Sequence, residues 1–316
     1  MKTKLFSVSL LALLVLSACV PASGTSPGSS QSTPGGSLKV LAAENFIADI
    51  AQNVAGDRVK VDSLIPTGVD PHAFEPVPQD VAKIANCSVL IVNGAGLEES
   101  WLQKTLANAG GSHLLIEASA GLASRTPRPG ELVTPGAQGE ATDPHFWLDP
   151  TKVITYTENI RDGLIKADPA GKDVYTRNAE AYIGQLMTLD QWVTGQVSQI
   201  PPGRRLLVTN HESLGYFSDR YGFNIVGTII PSVSPEASPS AQQIARLIDQ
   251  IKATHAPAIF LEAGSNPQLA DQIAQETGVE VITDLYTHFL TGPGGNAPTY
   301  IDMIKYNTQI IVNALK

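Results

Sequence analysis

The sequence is poor in cysteine, in basic residues and in long apolar segments, and each shortage excludes a class of protein. Its 316 residues contain two cysteines, and its 21 basic side chains are outnumbered by 30 acidic ones, for a formal net charge of −9. An acidic chain binds nucleic acid poorly, so no nucleic-acid partner is expected. After the N-terminal segment no stretch reaches the roughly 20 apolar residues that a membrane helix requires. The rest of the chain is therefore predicted to form a soluble body outside the cytoplasm.

Disulfide bonds are not expected to stabilise this body. Cys19 lies at the end of the N-terminal segment, which leaves Cys87 as the one internal thiol, and a lone thiol forms no internal disulfide. Cys87 lies between a predicted helix and an apolar strand. We interpret it as a small core residue rather than a ligand or a nucleophile.

The N-terminus has the pattern of a bacterial lipoprotein signal. Two lysines precede an apolar run over residues 5–16 that is too short to span a bilayer, and Ser17-Ala18-Cys19 follows as the small-residue cleavage site. Residues 1–18 are predicted to be removed and Cys19 to carry a lipid. That lipid would hold the protein at the outer face of the cytoplasmic membrane or in the periplasm; an ordinary secreted protein with an incidental cysteine is the alternative. Residues 19–37, rich in Ser, Pro and Gly, are predicted to form a flexible tether.

Apolar runs of strand length alternate with amphipathic stretches of helix length, and this series occurs twice. The alternation is typical of parallel sheets with βαβ connections. The body of about 280 residues is therefore predicted to be an α/β protein with two βα lobes, over residues 38–171 and 202–316, each with a parallel sheet. The predicted strands are Leu38–Ala43, Val59–Ile65, Val89–Asn93, His113–Glu117, Arg205–Thr209, Phe223–Ile230, Ala258–Glu262 and Val279–Asp284. The predicted helices cover residues 46–55, 78–87, 99–109, 214–221, 238–254, 267–277 and 298–315.

One long helix is predicted to connect the lobes over residues 172–201. Apolar side chains recur every three or four residues from Tyr175 to Val197, and Pro201 and Pro202 end the pattern. A helix of about 27 residues spans roughly 40 Å at about 1.5 Å per residue. A rigid connector of that length is expected to limit lobe closure to small motions.

Four of the six histidines follow the C-terminal ends of predicted strands. They are His72, His145, His211 and His288. Ligands bind at this edge of an open parallel sheet, so two facing lobes are expected to bring the four side chains to one cleft. Imidazole is a good ligand for Zn²⁺ and its neighbours, and a tetrahedral all-nitrogen site needs four such groups. His113 starts a strand and His255 follows a helix, so both are excluded.

Two of these histidines end the same tripeptide, Asp70-Pro71-His72 and Asp143-Pro144-His145. Proline fixes its own φ and favours an extended residue before it, which gives each histidine a defined backbone. The two aspartates are candidates to accept an imidazole N–H. A single Asp-Pro-His is a common turn, whereas two of them at strand ends favour a metal site.

Longer motifs around these histidines resemble the zinc- and manganese-binding solute-binding proteins of ABC importers, a group with the TroA-like fold. The resemblance extends from Leu38 to the C-terminus. It implies two βα lobes joined by a long helix, a metal between the lobes, and delivery of that metal to the membrane permease of an ABC transporter. It also implies a receptor rather than an enzyme, and we expect a monomer. The motifs are Gly68–Pro76, Asp143–Pro150, Val208–Phe217, Ser234–Ser240 and Thr299–Met303.

The resemblance assigns the first three ligands. The first two correspond to His72 and His145 in this sequence. The third position is commonly His in zinc-type members and Glu in several manganese-type members, and here it is His211. This histidine favours zinc. Zinc-type members also often carry a His-rich loop before the second ligand, but the loop at 121–142 has no histidine, and Glu131 and Glu140 are its only candidate metal-gathering residues.

The fourth position departs from the family pattern. Many members have Leu-Tyr-Ser-Asp there with the Asp as ligand, whereas this chain has Leu285-Tyr286-Thr287-His288. His288 is therefore expected to replace the carboxylate, and Asp284 is the rival ligand if the local register differs. An all-histidine site favours Zn²⁺, with Mn²⁺ or iron as the alternative.

Two further functions are compatible with parts of the sequence. A secreted zinc hydrolase keeps three protein ligands, an open position for water and a general base, for which Glu212 beside His211 is the candidate. Four ligands would leave no open position, and there is no His-Glu-x-x-His helix. An adhesin-like role is suggested by the tether alone.

Overall fold

Eight short strands form two separate parallel sheets in the computed structural model, which describes residues 38–126 and 143–316. The strands of the first sheet are β1 (Val40–Ala42), β2 (Val61–Ser63), β3 (Val89–Val92) and β4 (Leu114–Glu117). Those of the second are β5 (Leu206–Thr209), β6 (Asn224–Thr228), β7 (Ala258–Glu262) and β8 (Glu280–Leu285). The predicted signal peptide, Cys19, the tether and residues 127–142 of the loop, with Glu131 and Glu140, lie outside the described residues.

The two sheets have the same strand order. The first is β2-β1-β3-β4 and the second is β6-β5-β7-β8, and all neighbouring strands are parallel. In each sheet the chain reverses its direction of strand addition next to the first strand, and the C-terminal ends of the strands at such a point leave a crevice for ligands. Strands β3 and β7 are buried along their whole length, as parallel strands covered by helices on both faces should be. The predicted α/β fold with two parallel sheets is confirmed.

Helices connect the strands and cover the sheets. Within the described residues none of them is long and apolar enough to cross a bilayer. Helix α4 is absent from the predicted helices, although its buried side chains Val153, Tyr156, Ile160 and Leu164 follow helical spacing. The helices are α1 (Asn45–Ala55), α2 (Pro78–Asn86), α3 (Leu102–Ala109), α4 (Lys152–Ala167), α5 (Lys172–Val197), α6 (Gly215–Tyr221), α7 (Ala241–Thr254), α8 (Gln268–Thr277) and α9 (Tyr300–Leu315).

The longest helix, α5, packs against helices from both halves of the chain. It has 26 residues, which at about 1.5 Å per residue gives a length of roughly 39 Å. It contacts α1 and α4 from the first half and α6 and α9 from the second. Its buried side chains belong to one hydrophobic core that also contains Phe46 of α1 and Tyr300 of α9. The predicted long helix is confirmed, and the continuous core along it resists large movements of one sheet relative to the other.

Candidate metal centre

The four histidines singled out in the sequence meet at one point between the two sheets. His72 lies in a short 3₁₀ turn, Pro71–Ala73, after β2, and His145 directly precedes a second such turn, Phe146–Leu148. His211 and His288 follow β5 and β8. One ring nitrogen of each histidine lies within 4.8 Å of the corresponding atoms of the other three. Two of the rings thus come from the chain before α5 and two from the chain after it.

The ring nitrogens have the spacing of a small tetrahedron. The Nε2 atom of His145 lies 3.3 Å from Nε2 of His72, 3.4 Å from Nε2 of His211 and 3.2 Å from Nε2 of His288. A tetrahedral zinc site with Zn–N distances of about 2.0–2.1 Å has nitrogen–nitrogen edges of about 3.3–3.4 Å. His145, His211 and His288 are buried and His72 is half-buried. The three distances from His145 Nε2 therefore match the edges of a tetrahedral zinc site, and all four nitrogens lie within 4.8 Å of one another.

Asp284, the rival fourth ligand, does not belong to this cluster. It is exposed to solvent with a φ of 78°, and its carboxylate accepts a hydrogen bond from the neighbouring Thr283 hydroxyl. His288, four residues later, carries its ring into the group of four. Within the described part of the chain the structure thus places His288, and not Asp284, beside the other three rings.

The two excluded histidines also lie elsewhere. The Nδ1 atom of His113 lies 3.3 Å from the carbonyl oxygen of Cys87, at the edge of the first sheet. His255 is exposed and ends helix α7 in the left-handed region, with a φ of 56°. Neither ring is a member of the four-histidine group.

The repeated Asp-Pro-His tripeptides set the backbone of two of the rings. Asp70 Oδ1 accepts the backbone N–H of His72 at 2.8 Å, and Asp143 Oδ1 accepts that of His145 at 3.0 Å, so each aspartate closes the same local turn. Asp143 Oδ1 also lies 2.9 Å from Nδ1 of His145. A carboxylate at this position holds the proton on Nδ1 and leaves Nε2 free for a metal.

Glu262 lies behind the other two rings and is not among the site residues predicted from the sequence. Its Oε1 lies 2.7 Å from Nδ1 of His211, and its Oε2 lies 3.7 Å from Nδ1 of His288. Ser213 Oγ donates to Glu262 Oε1 at 3.0 Å, and Thr287 Oγ1 lies 2.8 Å from Nδ1 of His288. The signal for Glu262 was present in the sequence, because an acidic residue ends an otherwise apolar strand at the same sheet edge as the histidines.

Burial keeps three of the four rings neutral. It lowers the pKa of His72 to about 2, with further lowering from the neighbouring His288 and His145 rings. Burial likewise holds the pKa of His145 and of His288 well below 6.5. Neutral imidazole is the form that binds metal ions. These three rings are therefore ready to coordinate a cation at neutral and mildly acidic pH.

His211 differs from the other three rings. Burial lowers its pKa, but the charge of Glu262 and the contact with it outweigh burial and raise the pKa above the ordinary value. Burial alone would raise the pKa of the Glu262 carboxyl group, but the effect of the nearby His211 is larger and lowers that pKa to about 2. In the metal-free protein at pH 6.5 and below, His211 is therefore mainly protonated and forms an ion pair with Glu262.

Because His211 is protonated in this ion pair, we predict that a metal ion that binds its ring displaces a proton. If His211 is a ligand, the metal replaces its proton, so zinc binding at pH 6.5 is expected to release more than half a proton per ion, because the pKa of the metal-free ring lies above 6.5. As the pH rises past the raised pKa of His211, the release falls towards zero and the affinity reaches its plateau. Calorimetric titration with zinc at one pH in buffers of different ionisation enthalpy measures this number. In Glu262→Gln, which lacks the charge that holds the proton, the release at pH 6.5 should fall well below the wild-type value; a wild-type release near zero would contradict the assignment.

Comparison with known proteins identifies the family. A model of ZnuA, described as the periplasmic component A of a zinc-uptake complex, matches residues 40–314. The chain belongs to the ZnuA family. The manganese-binding lipoprotein MntA of Halalkalibacterium halodurans is 34% identical over 315 residues, which cover 100% of this chain and 99% of the relative. The manganese ABC transporter substrate-binding lipoprotein PsaA of Streptococcus pneumoniae is 30% identical over 297 residues, which cover 92% of this chain and 93% of the relative.

Solved structures of ZnuA family relatives have the same fold. The periplasmic zinc-binding protein TroA of Treponema pallidum superposes with a TM-score of 0.77 at 28% identity and covers 89% of this chain and 99% of its own. A manganese-bound periplasmic metal-binding protein of Candidatus Liberibacter asiaticus gives a TM-score of 0.77 at 28% identity, covering 88% of this chain and 100% of its own. This ZnuA family member is therefore an extracytoplasmic metal-binding receptor of an ABC transporter, not an enzyme.

Proposed function

We propose that the chain captures Zn²⁺ outside the cytoplasm and delivers it to the membrane permease of an ABC transporter. The ligands would be His72, His145, His211 and His288. The observation that carries this proposal is the convergence of their four ring nitrogens, with 3.2–3.4 Å between His145 Nε2 and the other three. Among the described residues the grouped donor atoms are all imidazole nitrogens, and the carboxyl groups of Asp143 and Glu262 contact the Nδ1 atoms of His145 and His211.

The donor set supports zinc over manganese. Imidazole suits zinc, whereas Mn²⁺ prefers carboxylate, carbonyl and water oxygens and a higher coordination number. In this site the carboxylates orient imidazoles and do not themselves enter the group of four. Manganese is the second candidate because several curated relatives, among them MntA and PsaA, are named for it; iron is a third ion that such a site can accept.

Competition between the two ions tests the proposal. Protein purified without added metal is analysed for bound elements, stripped with a chelator, and titrated with Zn²⁺ and Mn²⁺ against a common indicator. We expect one equivalent of Zn²⁺ to bind and Mn²⁺ to displace it only in large excess. X-ray absorption of the zinc form should show four nitrogen neighbours at about 2.0 Å and no bound water. Tighter binding of Mn²⁺ than of Zn²⁺ by the wild type would overturn the choice of metal.

The N-terminal segment supports a further part of this proposal. We propose that residues 1–18 are removed, that a lipid on Cys19 anchors the protein, and that residues 19–37 tether a monomeric body whose lobes are residues 38–171 and 202–316, joined by residues 172–201. Cys19→Ala is expected to prevent labelling by radioactive palmitate in bacterial cells and to deplete the mature protein from the membrane fraction. Cys87→Ala, the matched cysteine variant, should be labelled like the wild type. Equal labelling of Cys19→Ala would contradict the anchor.

A further inference from the structure

The short loop that carries His288 is held by two asparagine side chains, one on each side of the histidine. Asn307 of α9 donates from Nδ2 to the carbonyl oxygen of Tyr286 at 2.7 Å and accepts the Tyr286 N–H at 2.9 Å. Asn45 of α1 donates from Nδ2 to the carbonyl oxygen of Leu290 at 3.0 Å and accepts the Leu290 N–H at 2.8 Å. His288 lies midway between the two backbone positions that are held.

The two asparagines lie in different halves of the chain. Asn307 lies in the same half of the chain as His288, so its bonds move with the loop. Asn45 lies 245 residues before Leu290, at the start of the first helix. Its Nδ2 also lies 3.3 Å from the Thr67 hydroxyl, in the loop that leads to His72. One side chain from the first half therefore contacts the loops of two metal ligands that belong to different halves.

A second group from the first half reinforces the contact. The indole N–H of Trp147 donates to the carbonyl oxygen of Thr287 at 2.6 Å, and the Trp147 ring stacks on Phe46, the residue after Asn45, with centroids 4.6 Å apart. Trp147 is fully buried, whereas Asn45 is half-buried at the edge of the interface. Asn45 is thus the more accessible of the two contacts.

Asparagine is suited to this role because its amide carries both a donor and an acceptor. It can pair with the N–H and the C=O of one residue in the way a neighbouring strand would. The backbone on either side of His288 is held by bonds made outside the ring, as is usual for the supports of metal ligands.

We propose that Asn45 is a positioning residue that makes the fourth ligand depend on contact between the two halves of the protein. When α1 and the loop at 286–290 are in contact, His288 completes the site. When they separate, the loop loses its Asn45 contact, His288 leaves the other three rings, and the metal is released. This inference rests on the proposed function for its ligand set and adds the residue that couples closure of the protein to retention of the metal.

The rate of zinc loss tests this role. Zinc-loaded protein is mixed with excess chelator, and dissociation is followed in the wild type and in Asn45→Ala. We expect Asn45→Ala to lose zinc about tenfold to a hundredfold faster, the range typical for removal of a ligand's outer partner. Asn45→Asp, which keeps the acceptor for the Leu290 N–H but has no donor for the Leu290 carbonyl, should also lose zinc faster. The matched control is Asn159→Ala, which also removes two bonds between an asparagine amide and the backbone, both donated by Nδ2 to the carbonyl oxygens of Ala118 and Ala120 at 2.9 Å each, and should dissociate at the wild-type rate.

A double-mutant cycle separates positioning from a general structural effect. If Asn45 acts through His288, then Asn45→Ala in a His288→Ala background should leave the dissociation rate unchanged within about twofold. A wild-type rate in Asn45→Ala, or an undiminished acceleration in the His288→Ala background, would overturn the role of Asn45. The same rates are measured with Mn²⁺, so that a wild-type preference for Mn²⁺ overturns only the choice of zinc.

Discussion

Replacing His145 with alanine is expected to remove most of the rise in melting temperature that Zn²⁺ produces in the wild-type protein. The Nε2 atom of His145 lies within 3.4 Å of the corresponding atom of each of the other three rings, so its loss opens the centre of the site. Four-ligand zinc sites in small proteins bind with about 10–16 kcal/mol, or roughly 2.5–4 kcal/mol per ligand. The expected loss of affinity is therefore on the order of a hundredfold to a thousandfold.

Thermal unfolding with and without zinc measures this loss. At a zinc concentration near a thousand times the wild-type Kd, binding stabilises the wild type by about 4 kcal/mol, and a thousandfold weaker variant retains only a few tenths. His255→Asn is the matched control, because this exposed histidine lies outside the cluster and asparagine tolerates its positive φ. Equal zinc-dependent shifts in His145→Ala and in the wild type would rule out His145 as a ligand.

Replacing His288 with aspartate is expected to move the metal preference towards Mn²⁺. His288 is the position at which this chain departs from the Leu-Tyr-Ser-Asp pattern of many members of the family it resembles, and its Nε2 lies 3.2 Å from that of His145. A carboxylate replaces a neutral nitrogen donor with an anionic oxygen, which suits Mn²⁺ better than imidazole does. We expect the ratio of zinc affinity to manganese affinity to fall by about tenfold to a hundredfold, mainly through weaker zinc binding, because the shorter aspartate reaches the metal only if the loop shifts.

The charge of the new ligand can be tested separately from the loss of the ring. His288→Asn has the size of aspartate but offers a neutral oxygen, so it should weaken both ions without favouring manganese. Competition titration of the wild type and the two variants with Zn²⁺ and Mn²⁺ gives the ratio directly. If His288→Asp and His288→Asn changed the ratio equally, the charge at this position would not determine the choice of metal.

The supporting groups behind the histidines would let the four proposed ligands bind a cation without a ligand of negative charge. Asp143 and Glu262 lie 2.9 Å and 2.7 Å from the Nδ1 atoms of His145 and His211. Glu262, whose pKa His211 lowers to about 2 despite burial, carries a negative charge behind the rings, whereas burial raises the pKa of Asp143 to about 7 and that side chain mainly orients His145. This arrangement keeps the soft, neutral donor set that zinc accepts and still attracts a divalent cation.

Much of the architecture followed from local patterns in the sequence. The strands, most of the helices and the long helix α5 were predicted because hydrophobic periodicity and the prolines after α5 are local signals. Helix α4 was missed although its pattern was equally regular. The positions of His72, His211 and His288 after apolar strands were also local, whereas His145 follows its strand only after the long loop; the parallel topology then placed the C-terminal ends of the strands at the same sheet edges.

The sequence by itself thus determined the α/β class, the two sheets and the four candidate histidines, because each depends on residues close together in the chain. Only the tertiary structure decided that His288 rather than Asp284 joins the other three rings, that Glu262 lies behind two of them, and that Asn45 holds the loop at Leu290. The physical reason is that these contacts join residues far apart in the chain. They depend on how the two halves pack along α5, and no local spacing specifies that packing.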